Sequence, residues 1–251
     1  QQLEQVVEVW DQVPSLERAV LFDGESDDER VLTLAALEER GAKQEAAGKG
    51  GDFRARALEC GPEDIATMLY TSGTTGNPKG VLLSHNNIHS NVQACMKLFD
   101  AGPGDVAVSF LPLSHILERM VDYWLFSMGV TIAYVHDIQL VADSLREVHP
   151  TIAASTPRLY EKVYDAVMSQ TGIKGKLVHW AAKVGRRWTS AKLEGRSPGP
   201  ATALQHALAD RLVFAKLRSR IGGKLRFFIS GGAPLADHVA KFFYGAGVLL
   251  L

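Results

Sequence analysis

The chain has 251 residues, of which 46% are hydrophobic and 22% charged, and its formal net charge is −1. This composition is ordinary for a globular protein with a large core, and the longest mostly apolar stretch, Trp124–Val135, is too short to span a bilayer. The two cysteines, Cys60 and Cys95, have no CxxC spacing, so they indicate neither a disulfide framework nor a zinc site.

The charges are distributed unevenly along the chain. Residues 1–64 hold 16 acidic and 7 basic side chains, whereas residues 171–226 hold 13 basic and 2 acidic ones. Such asymmetry is typical of a surface that contacts a membrane or a polyanion. Two faces that neutralise each other in the fold would give the same pattern, so both interpretations stay open.

Both ends of the sequence indicate a segment of a longer protein. It begins with Gln1 rather than Met, and it stops within the apolar run Val248–Leu251, whereas native ends are more often polar. No signal-peptide pattern stands at the N-terminus. Together with the cysteine spacing, this favours a reduced, cytoplasmic compartment.

Strand-like and helix-like segments alternate from residue 65 onward, after a helix end and loop at Gly41–Gly51. The predicted strands are Ile65–Tyr70, Gly80–Leu83, Val106–Phe110, Thr131–Val135, Thr151–Ala154 and Leu225–Ile229. The predicted helices are Asn86–Phe99, His115–Ser127, Leu140–Val148, Arg158–Met168, Ile173–Leu193, Ala203–Arg220 and Ala236–Tyr244. Ser84 is a plausible cap for the first of these helices, and Ser197–Pro200 breaks the helical stretch that begins at Ile173. The alternation predicts an α/β fold with a largely parallel sheet.

The most informative stretch is Tyr70–Val81, which reads Tyr-Thr-Ser-Gly-Thr-Thr-Gly-Asn-Pro-Lys-Gly-Val between two predicted strands. Glycines let the backbone approach a ligand closely, hydroxyls donate to phosphate oxygens, and a lysine adds a mobile positive charge. The stretch is neither a Walker A loop nor a kinase-type glycine loop. Its chemistry nevertheless predicts a polyphosphate-binding loop rather than a flexible polar turn.

Two later segments add to this string. Leu111–Arg119 reads Leu-Pro-Leu-Ser-His-Ile-Leu-Glu-Arg, and Ser230–Leu235 reads Ser-Gly-Gly-Ala-Pro-Leu. In order and spacing, the three segments resemble the core motifs of the ANL superfamily of adenylate-forming enzymes. Strings around Thr156–Lys162 and the basic insertion near Lys174–Arg196 resemble its long-chain fatty-acid–CoA ligase branch.

The resemblance implies a domain organisation as well as a fold. The chain is expected to be a truncated segment, residues 1–251, of the large N-terminal AMP-binding domain, with largely parallel sheets flanked by helices. The small C-terminal domain would be absent. So would a Tyr-Gly-x-Thr-Glu string, whose Glu helps to bind Mg²⁺, a ribose-binding Asp and a catalytic Lys. We therefore expect the segment to be inactive by itself.

The reaction implied by the resemblance has two steps and uses ATP, Mg²⁺ and coenzyme A. A fatty-acid carboxylate attacks the α-phosphorus of ATP, and the CoA thiol then displaces AMP from the acyl-adenylate. The residues implied to hold the β- and γ-phosphates are Thr71, Ser72, Gly73, Thr74, Thr75, Gly76 and Lys79, with Thr71 also contacting Mg²⁺. No nucleic-acid partner is expected, and the oligomeric state stays open.

Three further roles come from the same resemblance. His115 is expected to be catalytic, because an imidazole can donate a hydrogen bond to negative charge developing near the α-phosphate. Gly231, Gly232, Ala233 and Pro234 are expected to line the adenine and the start of the acyl pocket. Arg119 is expected to gate the acyl tunnel, pairing with Glu118 or another acid when the tunnel is empty; a surface arginine is the alternative.

Two other functions compete with the long-chain ligase. One is a different carboxylate-adenylating enzyme that activates an aryl or amino acid. The other is a non-catalytic nucleotide-binding or scaffold module. The strings around Thr156–Lys162 and Lys174–Arg196 favour the long-chain ligase. The position that marks amino-acid activators would follow Leu251, so the segment itself offers no test against that class.

The basic stretch Ile173–Trp188 has two faces on a helical wheel. The apolar stripe comprises Ile173, Leu177, Trp180, Ala181, Val184 and Trp188. The opposite side carries Lys176, His179, Lys183, Arg186 and Arg187. The stripe either packs on the domain beneath a solvated basic face, or it makes a peripheral contact with an anionic membrane.

Overall fold

The computed structural model describes residues 2–71 and 78–251. The chain divides into two compact units, Gln1–Gly61 and Pro62–Leu251.

The first unit is built from short elements. It contains the helix α1 (Gln2–Val9), the parallel strands β1 (Ala19–Leu21) and β2 (Val31–Thr33), and the helices α2 (Leu34–Ala46) and α3 (Phe53–Leu58). The end of α2 lies in the region where the sequence predicts a helix end and loop. The sequence analysis predicts no strand here, because a strand of three residues is too short to show a period of two.

An antiparallel hairpin begins the second unit. Strands β3 (Ile65–Thr71) and β4 (Lys79–Ser84) pair so that Thr71 lies opposite Lys79 and Tyr70 opposite Gly80. Helix α4 (His85–Leu98) follows at once. Ser84 caps it in a reciprocal capping box with Asn87, which satisfies two helix-end N–H groups and confirms the predicted cap.

A five-stranded, fully parallel sheet forms the centre of the second unit. Its strands are β5 (Val106–Ser109), β6 (Thr131–Tyr134), β7 (Ile152–Ser155), β8 (Phe227–Ser230) and β9 (Leu249–Leu250), in the order β6-β5-β7-β8-β9. The helices are α5 (Ile116–Ser127), α6 (Val141–Val148), α7 (Pro157–Met168), α8 (Gly172–Leu193), α9 (Pro200–Ala209), α10 (Ala215–Arg220) and α11 (Asp237–Gly245). The α/β fold with a largely parallel sheet is thus confirmed.

One predicted helix differs from the observed one. The helix predicted over Ala203–Arg220 begins earlier, at Pro200, and a π-helical segment, Asp210–Phe214, separates α9 from α10. The predicted break after the basic helix is present between Leu193 and Pro200. Pro200 is the first residue of α9, because proline lacks only an N–H that a first-turn residue does not use.

The core lies on both faces of the parallel sheet. All four residues of β7 are buried, as expected for a central strand that is covered on both sides. On one face Tyr160, Phe228 and Phe243 pack together under α7, α8 and α11. On the other face Trp124 of α5 packs against Phe99 with ring centroids 5.4 Å apart.

The strand order reverses between β5 and β7. From β5 the chain moves outward to β6, then returns to β7 on the other side of β5 and continues outward to β8 and β9. The loops that leave the carboxyl ends of β5 and β7 therefore diverge and open a crevice. In open parallel sheets ligands bind at this point.

Candidate functional site

Two of the three motifs follow strands that border the crevice or lie next to it. The segment Phe110–His115 leaves the carboxyl end of β5, and Gly231 leaves the carboxyl end of β8, the neighbour of β7. The backbone N–H of Gly231 donates to the carbonyl of Ser155, the last residue of β7, over 3.2 Å. The parallel sheet therefore brings together motifs that are more than a hundred residues apart in sequence.

Glycine at position 231 is required by this close packing. A Cβ atom there would lie 2.6 Å from Cδ1 of Leu117, a residue of α5 that follows His115 by two positions. Gly232 adopts a φ of +84°, in the left-handed region that favours glycine. Ala233 and Pro234 continue the turn on the exposed side. Gly231 thus lies directly against the helix that carries the histidine motif.

His115 occupies the N-cap position of α5. Its backbone N–H donates to the Pro112 carbonyl over 2.8 Å, and its own carbonyl accepts from the Arg119 N–H over 3.2 Å. The residue is exposed, and its side chain makes no capping hydrogen bond with the described part of the chain. The imidazole stands at the positive end of the helix dipole, where negative charge is favoured.

The hairpin holds the two ends of the predicted phosphate loop. Thr71 and Lys79 are exposed and face each other, and the Thr71 hydroxyl lies 3.4 Å from the Lys79 carbonyl. The remaining predicted loop residues, Ser72, Gly73, Thr74, Thr75 and Gly76, lie outside the described residues.

Arg119 joins the histidine motif to this hairpin. Its Nε donates to the Leu113 carbonyl over 2.9 Å, and its Nη1 donates to the hydroxyl of Thr67 on β3. The expected pairing with Glu118 does not occur, because the two side chains leave the helix in different directions. Glu118 is buried beneath the motif, whereas Arg119 reaches across its surface.

Glu118 and Asp122 shape the site in a way that the sequence analysis did not predict, since it named Glu118 only as a partner of Arg119 and did not name Asp122. Their exposed fractions are 1% and 8%. Oε1 of Glu118 accepts the N–H groups of Phe110 and Leu111 over 3.1 and 3.4 Å, and Asp122 accepts the Ser109 hydroxyl over 3.3 Å. Burial raises the pKa of both carboxyls, more than these hydrogen bonds lower it.

A sequence signal for this pair does exist. Glu118 and Asp122 are four residues apart on α5, between the apolar positions Leu117, Val121 and Leu125. Two acidic residues on the apolar side of a helix indicate buried carboxyl groups with a specific task, here the fixing of the chain where it leaves β5.

An apolar pocket of about 180 Å³ opens between α4 and α5. Its lining residues are Leu83, Asn87, Ile88, Asn91, Ile116, Met120 and Tyr123. Ile116 follows His115 directly and Met120 follows Arg119, so the pocket lies beside the helical part of the histidine motif. An acyl chain is the kind of group that such walls accept.

Helix α8 packs most of its predicted apolar stripe into the second unit. Ala181 and Val184 are buried and the two tryptophans are half-buried, whereas Ile173 is 88% exposed. The opposite side, with Lys176, His179, Lys183, Arg186 and Arg187, is exposed. Among the described helices none is both long and apolar enough to cross a membrane.

Comparison with curated proteins finds similar chains among fatty-acid–CoA ligases. The long-chain-fatty-acid–CoA ligase 5 of Rattus norvegicus is 35% identical over 251 residues, which cover 94% of this chain and 34% of the ligase. The long-chain-fatty-acid–CoA ligase FadD15 of Mycobacterium tuberculosis is 33% identical over 249 residues, covering 98% and 40%. The chain thus spans between a third and two fifths of these relatives.

Solved structures of low sequence identity share the fold. The inhibitor-bound N-terminal domain of FACL13 from Mycobacterium tuberculosis superposes with a TM-score of 0.54 at 20% identity, covering 98% of this chain and 47% of that one. The adenylation–carrier didomain of a carboxylic acid reductase from Segniliparus rugosus, in complex with AMP, gives 0.56 at 20% identity, covering 99% and 33%. The model of the AMP-binding enzyme family matches residues 1–249. The chain therefore belongs to the family of AMP-binding enzymes, as the three motifs predicted.

Proposed function

We propose that the intact protein activates a long-chain fatty acid, first to an acyl-adenylate and then to acyl-CoA. One observation carries the proposal: Gly231 of the third motif lies against Leu117, two residues after His115, and Arg119 of the histidine motif hydrogen-bonds Thr67 on strand β3. Two of the three motifs therefore lie together beside the crevice, and a hydrogen bond links them to the strand that leads into the remaining one. The ligases named above supply the substrate class.

The first step forms one bond and breaks one. A carboxylate oxygen of the acid attacks the α-phosphorus of ATP, and the bond from that phosphorus to pyrophosphate breaks. His115, at the positive end of α5, would donate a hydrogen bond to the charge that develops there. In the second step the CoA thiolate attacks the acyl carbon and AMP leaves.

The residues around the crevice would hold the nucleotide. Thr71 and Lys79 begin and end the string that would hold the β- and γ-phosphates, with Ser72, Gly73, Thr74, Thr75 and Gly76 between them. The segment Gly231–Pro234 leaves room for a flat adenine against the backbone. Thr71 offers one exposed hydroxyl, which suits Mg²⁺ because this ion takes most of its oxygen ligands from water and phosphate. Bound there, Mg²⁺ would neutralise phosphate charge.

The apolar pocket beside α5 would accept the start of the acyl chain. Each methylene buried in such a pocket contributes about 0.8 kcal/mol, so long acids would be favoured over acetate. Arg119 would gate this tunnel only if its bonds to Leu113 and Thr67 were released when the chain enters.

A cytoplasmic location with peripheral contact to an anionic membrane completes the proposal. The contact would be electrostatic, made by the exposed basic side of α8, because most of the apolar stripe of this helix packs inside the unit. A fatty acid partitions into bilayers, so an enzyme near the surface would meet more of it.

The test is ATP–pyrophosphate exchange by the intact protein with palmitate, acetate, benzoate and a mixture of amino acids. We expect exchange with palmitate and much less with acetate. Preference for benzoate or for an amino acid would favour the other adenylating enzymes. MgATP binding without exchange for any acid would favour a non-catalytic module. The 251-residue chain alone is expected to form no acyl-CoA.

A further inference from the structure

The segment Leu111–His115 is held from two sides. Beneath it, the buried Glu118 carboxyl accepts the N–H groups of Phe110 and Leu111, where the chain leaves β5. Above it, the guanidinium of Arg119 donates to the Leu113 carbonyl over 2.9 Å. Adjacent residues of α5 thus fix the beginning and the middle of the loop that ends at His115.

The second bond of Arg119 reaches a different part of the molecule. Thr67 is 52 residues away in sequence, in the middle of β3, and four residues before Thr71. Its hydroxyl accepts the Nη1 hydrogen of Arg119. A guanidinium presents several donors in a rigid fork, so it can serve both acceptors at once, which a lysine ammonium on its flexible stem does poorly.

We propose that Arg119 is a positioning residue, which ties the loop of His115 to strand β3 and so sets its distance from the phosphate-binding string that begins at Thr71. The proposal rests on the proposed function. It differs from the gate hypothesis, in which Arg119 responds to the acyl chain: a tie between two parts of the nucleotide site acts on MgATP, whichever acid is present.

Thr67 distinguishes the two roles. In the gate hypothesis its hydroxyl only holds Arg119 in the closed position, so its loss would ease entry of the acid and leave KM for MgATP unchanged. Thr67→Val removes the hydroxyl but keeps the branched shape that suits a strand, and Thr67→Ser keeps the hydroxyl. Arg119→Met removes the guanidinium and keeps an unbranched apolar stem. Arg146→Met removes an exposed arginine of α6 and serves as the matched control.

The experiment measures KM for MgATP and kcat in pyrophosphate exchange by the intact protein, with octanoate, laurate and palmitate. We expect Arg119→Met to raise KM for MgATP by roughly 10- to 100-fold, the value of one charge-assisted hydrogen bond, and by a similar factor for each acid. Thr67→Val should raise KM for MgATP by a smaller factor, and Thr67→Ser and Arg146→Met should leave it unchanged. Combining Arg119→Met with Thr67→Val should raise KM no further than Arg119→Met alone, because both changes break the same hydrogen bond.

Calorimetric titration of MgATP, with no acid present, repeats the comparison without turnover. An absence of exchange in the wild-type protein would remove the proposed function, and the binding comparison alone would then decide on Arg119. Additive effects of the two substitutions, or equal behaviour of Thr67→Val and wild type, would overturn the proposal. So would an effect of Arg119→Met confined to one chain length, which is the signature of a gate.

Discussion

Glu118 and Asp122 lie one helical turn apart on α5, and both carboxyl groups are buried. Oε2 of Glu118 and Oδ1 of Asp122 have no hydrogen-bond partner among the described residues. Desolvation disfavours the charged form, so the raised pKa values express the cost of ionising either group in place. At the residue scale, the loop that leads to His115 is therefore anchored by two carboxyl groups whose protonated, neutral form is favoured by burial.

The raised pKa of Glu118 gives a pH-dependent prediction. The stability that a raised pKa contributes is fully present below the unfolded value, near 4.5, and is lost as pH rises toward the folded value. Glu118→Gln cannot ionise and keeps a carbonyl acceptor for the two N–H groups. We therefore expect its free energy of unfolding, relative to wild type, to rise with pH above that value.

Urea denaturation at a series of pH values checks this expectation. Glu147→Gln, at an exposed position of α6, is the matched control and should follow the wild-type curve. Parallel curves for Glu118→Gln and wild type would mean that the carboxyl ionises equally easily in both states.

Gly231 is a second residue whose role comes from packing. An added methyl would meet Leu117, so Gly231→Ala should shift the start of α5 and destabilise the protein by about 1–3 kcal/mol, as overpacking does. A second substitution, Leu117→Ala, removes the three atoms that the methyl would meet, Cγ, Cδ1 and Cδ2 of Leu117. We expect the double variant to recover MgATP affinity that Gly231→Ala loses.

Gly102→Ala is the control for the general effect of the substitution, since nothing lies within 4 Å of an added Cβ there. The measurement is MgATP titration together with thermal unfolding. Equal MgATP affinity of Gly231→Ala and wild type would show that the close approach to Leu117 does not matter for the nucleotide.

At the scale of elements, the amino ends of β5, β7 and β8 are tied by one buried acid. Asp105 accepts the Thr151 hydroxyl over 2.7 Å, the Gly102 N–H over 3.0 Å and Nη1 of Arg226 over 2.8 Å. Although burial opposes it, these hydrogen bonds hold the pKa of Asp105 below its ordinary value. The hydrogen bonds at this end of the sheet, opposite the crevice, stabilise the fold.

Removing the hydroxyl at this junction tests its contribution. The Thr151 hydroxyl donates to Asp105 and accepts the Val106 N–H over 3.0 Å, so Thr151→Val leaves both groups without this partner. We expect a loss of about 2–3 kcal/mol in the free energy of unfolding. The loss should shrink in acid, because Asp105 becomes protonated as pH falls through its folded pKa.

Chemical denaturation of wild type, Thr151→Val and Thr131→Val measures this loss. Thr131 is an exposed threonine of β6, so its substitution controls for the change of residue type. A loss for Thr151→Val no larger than the control's would contradict the tie.

At the scale of the whole molecule, the exposed basic side of α8 is the surface proposed to meet a membrane. Each lysine or arginine near an anionic surface contributes about 1 kcal/mol to the binding free energy. The Debye screening length falls from about 30 Å at 0.01 M salt to about 8 Å at 0.15 M. We expect the intact protein to sediment with anionic vesicles at low salt and to be released at high salt.

A fourfold charge-reversal variant should not sediment with anionic vesicles; it carries Lys176→Glu, Lys183→Glu, Arg186→Glu and Arg187→Glu. Neutral vesicles should bind neither this variant nor the wild-type protein. Binding by both proteins to anionic vesicles would place the contact elsewhere on the molecule. Binding that resists salt would indicate an apolar contact, for which Ile173 is the one stripe residue that is fully open in the described helix.

The sequence by itself determined the α/β class, the family and most elements from residue 65 onward, but not the π-helical segment Asp210–Phe214 or strand β9. Local chemistry carries these signals: Ser84 caps α4 whatever packs beside it, and buried strands such as β7 read as short apolar runs. Residue chemistry also indicated the string from Thr71 to Lys79 as a phosphate loop, whereas the resemblance to the ANL superfamily named His115 and Gly231 as candidates.

Only the tertiary structure decided which candidates meet and how they are held. The contact of Gly231 with Leu117 and the bond from Arg119 to Thr67 join residues 114 and 52 positions apart, and depend on the strand order β6-β5-β7-β8-β9 and on the hairpin. Of the pairings expected for Arg119, the one with Glu118 was wrong for a more local reason. Neighbours in sequence leave a helix about 100° apart, so one enters the core while the other crosses to β3.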